Sequence, residues 1–146
     1  MLNLEAVCDN NKEFYKRFEA VFSNDLCQFQ SRIYPYQNAS NLIWYYIKQD
    51  ETYIGSVWLE KKEMDDDYAT LGIFIAYNEY RNKGMGFQSI KMIIDEAKFL
   101  NIKEIRLRVR ENNTRAIECY HKIGFVDVRK LQKENCISAI EMKYLL

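Results

Sequence analysis

From Lys103 to Arg110 the chain alternates without a fault: Ile105, Leu107 and Val109 interleave with Arg106, Arg108 and Arg110. Successive side chains of a strand point to opposite faces, so this segment predicts a strand with one core face and one basic face. The segment before it has a different period. Between Phe87 and Leu100, Ile90, Ile93, Ile94 and Ala97 recur at helical spacing among lysines and acids, which predicts an amphipathic helix. Further upstream, Tyr68-Ala-Thr-Leu-Gly-Ile-Phe-Ile75 is rich in β-branched and aromatic residues and reads as another strand. Strand, helix and strand in succession require a crossover between parallel neighbours, here spanning 69–109.

The remaining segments surround that unit. Asn41 to Lys48 and Thr52 to Glu60 read as two strands of a hairpin, separated by Gln49-Asp50-Glu51. The densest charge run, Glu60 to Asp67, reads as an exposed hairpin loop between strands. In the first third, Phe14, Phe18 and Val21 fall at i, i+4 and i+7 and predict a helix. Tyr34-Pro35-Tyr36 ends that pattern, because proline disfavours helix at the residue before it and donates no amide. Asn113 to Lys122 reads as a short helix with Gly124 in the C-cap place, and Phe125–Val128 with Ser138–Tyr144 supply two last strands. The predicted order is a helical start followed by β-β-β-α-β-α-β-β. The class is α+β: a mixed, mainly antiparallel sheet with one parallel βαβ crossover and flanking helices. With 146 residues, no repeat and no linker, residues 1–146 are expected to form one domain.

Charge and cysteine usage narrow the chemistry. The formal net charge is zero, which gives no support for non-specific nucleic-acid binding. Residues 1–80 carry 7 basic and 13 acidic side chains, whereas residues 81–146 carry 14 basic and 8 acidic, so an anionic ligand would favour the second half. No stretch approaches the roughly 18 uncharged apolar residues of a membrane span, and the first residues lack a basic segment leading into an apolar run. The protein is expected to be soluble and cytoplasmic, without a membrane partner, as monomer or homodimer. Cys8, Cys27, Cys119 and Cys136 form no C-x-x-C pair, and His121 is the only histidine, so no metal site is expected.

Chemistry concentrates in Glu79-Tyr80-Arg81-Asn82-Lys83-Gly84-Met85-Gly86, between the end of a strand and the start of a helix. A helix N-terminus has unsatisfied amides and about half a positive charge. Glycines let the backbone approach a ligand, and Arg81 and Lys83 add full charges, which together make a phosphate cradle. A dinucleotide fingerprint fits poorly: the third glycine of G-x-G-x-x-G is Ser89, and Asn78 to Lys83 separates the strand from the glycines.

A second motif lies downstream, Val109-Arg-Glu-Asn-Asn113-Thr-Arg-Ala116-Ile-Glu-Cys-Tyr120-His-Lys-Ile-Gly124-Phe125. Together the two segments resemble the GNAT superfamily of acyl-CoA-dependent N-acyltransferases. Its signature is R/Q-x-x-G-x-G/A after a strand, then V-x-x-x-N-x-x-A-x-x-x-Y-x-x-x-G-F. Arg81, Gly84 and Gly86 fill the first pattern; Val109, Asn113, Ala116, Tyr120, Gly124 and Phe125 fill the second. Position 82 is Asn where the family often has Gly, and residues 1–40 carry no signature. The resemblance implies that backbone amides of Arg81, Asn82, Lys83, Gly84, Met85 and Gly86 hold the pyrophosphate of acetyl-CoA. It gives the pantetheine arm to Ile73, Phe74 and Ile75, with Ile75 as the amide donor to the acyl carbonyl, and a further cofactor contact to Asn113. Tyr120 takes the place of the residue that protonates the departing thiolate.

The expected activity is transfer of an acetyl group from acetyl-CoA to a primary amine of a small molecule or protein N-terminus, by direct attack. The alternative is an acyl-CoA-binding sensor or interaction module. An alkylamine has an ordinary pKa of about 10.4 and must lose a proton before it attacks. Glu60, Asp66, Asp67, Glu79 and a water chain are the candidate bases. Tyr34, Tyr36, Trp44 and Trp58 are candidate walls of an acceptor pocket, His121 is expected on the surface, and Cys119 has no partner base for an acyl-enzyme route. Arg106, Arg108 and Arg110 have two readings, the basic side of a nucleotide site or, preferred, a solvated face paired with acids of the first half.

Overall fold

The strands expected around 41–48, 52–60, 68–75 and 103–110 all form, and they join one seven-stranded sheet. The computed structural model describes residues 1–22, 34–35, 40–132 and 137–146. Its strands are β1 (Leu2–Ala6), β2 (Ser40–Gln49), β3 (Thr52–Lys61), β4 (Tyr68–Ile75), β5 (Glu104–Arg110), β6 (Val126–Leu131) and β7 (Ala139–Leu145). The helices are α1 (Tyr15–Phe22), α2 (Met85–Ala97) and α3 (Thr114–Ile123), with 3-10 turns at Lys12–Phe14 and Asn78–Tyr80. The strand order is β1-β2-β3-β4-β5-β7-β6. β4 and β5 are parallel and the other neighbours antiparallel, as the crossover through α2 demands.

The helical start is corrected in one respect. β1 precedes the helix and pairs along β2, from Leu2 opposite Gln49 to Ala6 opposite Tyr45. Its five residues read Leu, Asn, Leu, Glu, Ala, too short a run to stand out without a partner, and Leu2 and Leu4 pack against the core. The charge run is corrected as well. β3 runs through Glu60, as the strand reading had it, and on to Lys61, and Glu60 is only 3% exposed rather than part of an exposed loop. The turn after them is tied locally: Glu63 N donates to Asp66 Oδ2 at 3.0 Å, and Lys103 Nζ lies 3.7 Å from Asp67.

Two apolar layers flank the sheet. On one face, Ile90, Ile93, Ile94 and Ala97 of α2 bury against Val57, Leu59, Leu71, Ile105 and Leu107. Tyr120 and Ile117 of α3 join the same layer. On the other face, Phe18 of α1 meets Tyr46, Phe74 and Ala76. The alternation of each strand sorts its residues between these faces. The side chain of Val21, and all of Cys27, Tyr36 and Cys136, lie outside the described residues.

Candidate functional site

β4 and β5 are paired only where they begin, at Tyr68–Glu104, Ala69–Ile105 and Thr70–Arg106. Beyond that point Leu71–Ile75 stay with β3, and Leu107–Arg110 stay with β7. No ladder joins the two strands there, and an open cleft of about 2450 Å³ is lined by both. Parting two parallel strands leaves backbone groups facing the space between them.

The register decides which groups those are. Ala76 N donates to Ile54 O at 2.7 Å, and hydrogen-bonded pairs alternate along an antiparallel ladder. The backbone of Phe74 therefore faces β3, where its carbonyl presses on Gly55 so closely that a Cβ there would lie 2.0 Å from the oxygen. The backbone of Ile73 and Ile75 faces the cleft, and Arg81 Nε donates to Ile75 O at 2.9 Å. Of the three residues expected to run alongside a pantetheine arm, Phe74 thus offers the cleft no backbone group. Its ring packs against Phe18 instead, with centroids 6.1 Å apart.

At the end of β4 the chain turns into α2. Arg81 N donates to Asn78 O at 3.1 Å, so this amide is already used inside the turn. The Arg81 guanidinium also bonds Asn78 Oδ1 at 2.9 Å and so braces the turn. The amides of Asn82 to Phe87 meet no protein acceptor among the described residues; Gln88 N is the first to close back, onto Gly84 O at 3.0 Å. That is the donor set of a helix N-terminus, with the positive end of the helix dipole behind it.

Asn82 has φ 62 and Gly84 φ 80. Asparagine is one of the few side-chain-bearing residues that adopts this left-handed conformation readily, which accounts for its standing where a glycine is frequent. A Cβ on Gly84 would meet none of the described residues within 4 Å, so the turn is open in front of it. Arg81, Asn82, Gly84 and Gly86 line the cleft. Lys83 and Met85 are not among its lining residues, and Met85 packs against the core. Ser89, in the place of a third glycine, is buried and donates to Met85 O at 2.7 Å.

α3 forms the far wall. Asn113 caps it, its side chain accepting from Ala116 N at 3.4 Å, and lines the cleft. Gly124 ends it with φ 126, as its C-cap place predicts. Tyr120 is partly buried, lies edge-on to Phe125 at 5.9 Å and also lines the cleft. Burial raises its pKa well above the ordinary tyrosine value, with the neighbouring Cys119 thiol adding to the shift. The phenol therefore holds its proton throughout the neutral range. Burial pushes the Cys119 thiol up as well, against a smaller opposing effect of Lys122, so the thiolate is scarce and nucleophilic catalysis is disfavoured.

The other candidate residues divide clearly. Glu60 and Glu79 line the cleft, while Asp66 and Asp67, held in their turn, do not. Trp58 lines it too, against Gly72, where a Cβ would stand 2.1 Å from the indole ring. Trp44 donates to Ser56 Oγ at 3.3 Å, and Tyr34 packs on Tyr15 at 4.7 Å, so both help hold α1. His121 is exposed as expected and lies 2.8 Å from Asp127. Of the β5 arginines, Arg108 is exposed as a solvated face would be, whereas Arg106 pairs not with an acid of the first half but with Glu104 of its own strand at 2.9 Å, and lies 3.7 Å over the Tyr68 ring. Arg106, Arg108 and Arg110 all line the cleft. Among the described residues no helix is long and apolar enough to cross a membrane, and no group of three potential metal ligands occurs.

Comparison with known proteins places this geometry. The fold resembles a crystal structure of spermidine N-acetyltransferase from Vibrio cholerae in complex with CoA and spermine, with TM-score 0.75 and 21% identity over 99% of this chain and 95% of that one. It resembles an acetyltransferase of the GNAT family from Streptococcus pneumoniae with TM-score 0.77 and 17% identity, all of both chains being covered. In sequence, 80 residues are 32% identical to the uncharacterized N-acetyltransferase YobR of Bacillus subtilis. That match takes in 55% of this chain and 30% of YobR, so the chain matches about a third of that relative's length. The acetyltransferase (GNAT) family model matches residues 5–125, from β1 through the cradle to Phe125 at the end of the second motif. The chain belongs to the GNAT acetyltransferase family.

Proposed function

We propose that the protein transfers the acetyl group of acetyl-CoA to the primary amine of a small acceptor by direct attack. One observation carries the reading: a run of amides from Asn82 to Phe87 without acceptors among the described residues opens on the same cleft as Tyr120, between two strands that have parted. A diphosphate supplies the acceptors those amides lack, and the helix dipole favours its charge. The open space at Gly84 leaves room for it. Bound there, acetyl-CoA supplies an activated thioester as the acetyl donor.

The chain's own residues account for the rest. Ile73 and Ile75 turn backbone groups to the cleft and hold an extended arm as an added strand would be held. The Ile75 amide is the donor to the acyl oxygen as negative charge develops there. The acceptor nitrogen gives up a proton to a carboxylate lining the cleft, Glu60 or Glu79, directly or through water. The nitrogen bonds the acyl carbon, the carbon–sulfur bond breaks, and the sulfur takes the proton that Tyr120 holds. Asn113 fixes the start of α3 and with it the place of Tyr120.

The test measures thiol release from acetyl-CoA with a panel of primary amines, alongside thermal stability with CoA alone. Amine-dependent release and CoA-dependent stabilisation are expected. Stabilisation by CoA without release for any amine would favour a binding module instead.

A further inference from the structure

Cross-strand partners share a face of the sheet, and the register across β3, β4, β5 and β7 draws a row: Glu60 opposite Thr70, Thr70 opposite Arg106, Arg106 opposite Lys143. One step toward the cleft runs a second row. Trp58 is opposite Gly72 on one side of the gap, and Arg108 is opposite Glu141 on the other. Both rows lie on the face of Phe74 and α1, because Glu60, Trp58 and Ser56 alternate with Leu59 and Val57, which pack under α2. The phosphate cradle and Tyr120 belong to the α2 and α3 side. An acceptor that meets the acyl group from across the sheet therefore enters between these two rows.

The charges of that entrance are unevenly committed. Arg106 is held by Glu104 and by the Tyr68 ring. Glu141 accepts from Arg129 Nε at 2.8 Å. Glu60 is buried at the floor, about 10 Å from Arg106 by the spacing of two strands. Arg108 is exposed, lines the cleft and has no acidic partner among the described residues. A second ammonium on an acceptor would approach Arg106 and Arg108, both cations. An oxyanion there would gain a fork of donors that matches carboxylate and phosphate geometry.

We infer that the acceptor is an amine that also carries an oxyanion, a carboxylate or a phosphate, with its amine toward Glu60 and its oxyanion held by Arg108 across the β4–β5 gap. This rests on the acyl-transfer reading and narrows it, setting the chain apart from the Vibrio cholerae enzyme that was crystallised with spermine.

The experiment compares acceptors that differ in the oxyanion alone, β-alanine against β-alaninamide and glucosamine 6-phosphate against glucosamine, with spermidine as the polycation. Each is assayed by thiol release with the native chain, Arg108→Gln and Arg108→Lys. Reading the ratio of kcat/KM within a pair cancels partial loss of folded enzyme and the amine's intrinsic reactivity. The ratio for the favoured pair is expected to fall about 10- to 100-fold in Arg108→Gln, mainly through KM, as loss of a charge-assisted contact predicts. Arg108→Lys is expected to keep part of it. The pair that responds identifies the oxyanion as carboxylate or phosphate. A ratio unchanged by Arg108→Gln in both pairs, or spermidine as the best acceptor, overturns the inference and leaves acyl transfer standing. Absence of release with every amine, while CoA still stabilises the fold, overturns acyl transfer and this inference together.

Discussion

A single methyl group added at two neighbouring glycines should have opposite effects on fold and ligand. Gly84 stands at φ 80, where a residue with a Cβ loses about 1–2 kcal/mol. Restricting the unfolded chain returns about 0.4–1 kcal/mol, leaving Gly84→Ala about 1 kcal/mol less stable. For a chain of this length that lowers Tm by about 3 °C. Gly86 is inside α2, and among the described residues a new Cβ there would meet Ile73 Cδ1 at an ordinary 3.8 Å. Alanine there gains helix propensity of up to about 1 kcal/mol, raising Tm by about 3 °C. CoA at a hundred times its Kd should add about 2.7 kcal/mol to the native chain. Differential scanning fluorimetry with and without CoA reads both effects. Gly86→Ala is expected to keep the ligand shift. Gly84→Ala is expected to lose most of it, because its methyl enters the open space in front of the amides. A full CoA shift in Gly84→Ala would refute the assignment of this turn as the phosphate cradle.

Other expectations follow from the same geometry. Tyr120→Phe should lower kcat by about 100-fold, within the range of general acid assistance, while the CoA thermal shift survives; unchanged turnover would remove Tyr120 from the proton path. The folded pKa of Tyr120 is raised, so stability linked to it is complete below the ordinary tyrosine value near 10 and is lost as pH rises through the folded value. The kcat profile of the native chain should therefore show no alkaline decline below about pH 10 that disappears in Tyr120→Phe. Gly72→Ala forces a Cβ to 2.1 Å from the fully buried Trp58 ring, and should cost about 1–3 kcal/mol by urea titration. Asn113→Ala removes the cap of α3 and should cost about 1 kcal/mol by the same measurement.

The periodic segments of this chain are legible from the residues themselves, because one face of each is buried and that demand is written locally. Ile105, Leu107 and Val109 read as the core face of a strand and occupy it, and Ile90, Ile93, Ile94 and Ala97 do the same for α2. Gly84 and Gly124 mark the ends of helices through a conformation that few other residues adopt. β1 escapes the sequence pattern because a five-residue edge strand is defined by its pairing with β2, which lies some forty residues further along the chain. Glu60 falls both at the end of a strand and at the start of the charge run in the sequence reading, and Lys61 in the run alone, because the sequence shows the charged neighbours and not the partner strand that carries β3 through Lys61.

What the sequence alone determined is the list of parts: a βαβ unit, a glycine turn at the mouth of a helix, and a tyrosine on the next helix. All of these follow from backbone preference and side-chain period, which act over a few residues. Tertiary structure decided which of them meet. Only the register shows that Phe74 spends its backbone on β3 while Ile73 and Ile75 turn theirs to the cleft, and that Arg81 closes its own turn. Only the sheet order sets Glu60 and Arg106 in one row across the strands, with Arg108 two residues beyond. The physical reason is that the pairing of β4 with β5 stops after three residues, a relation between distant segments that no local pattern encodes.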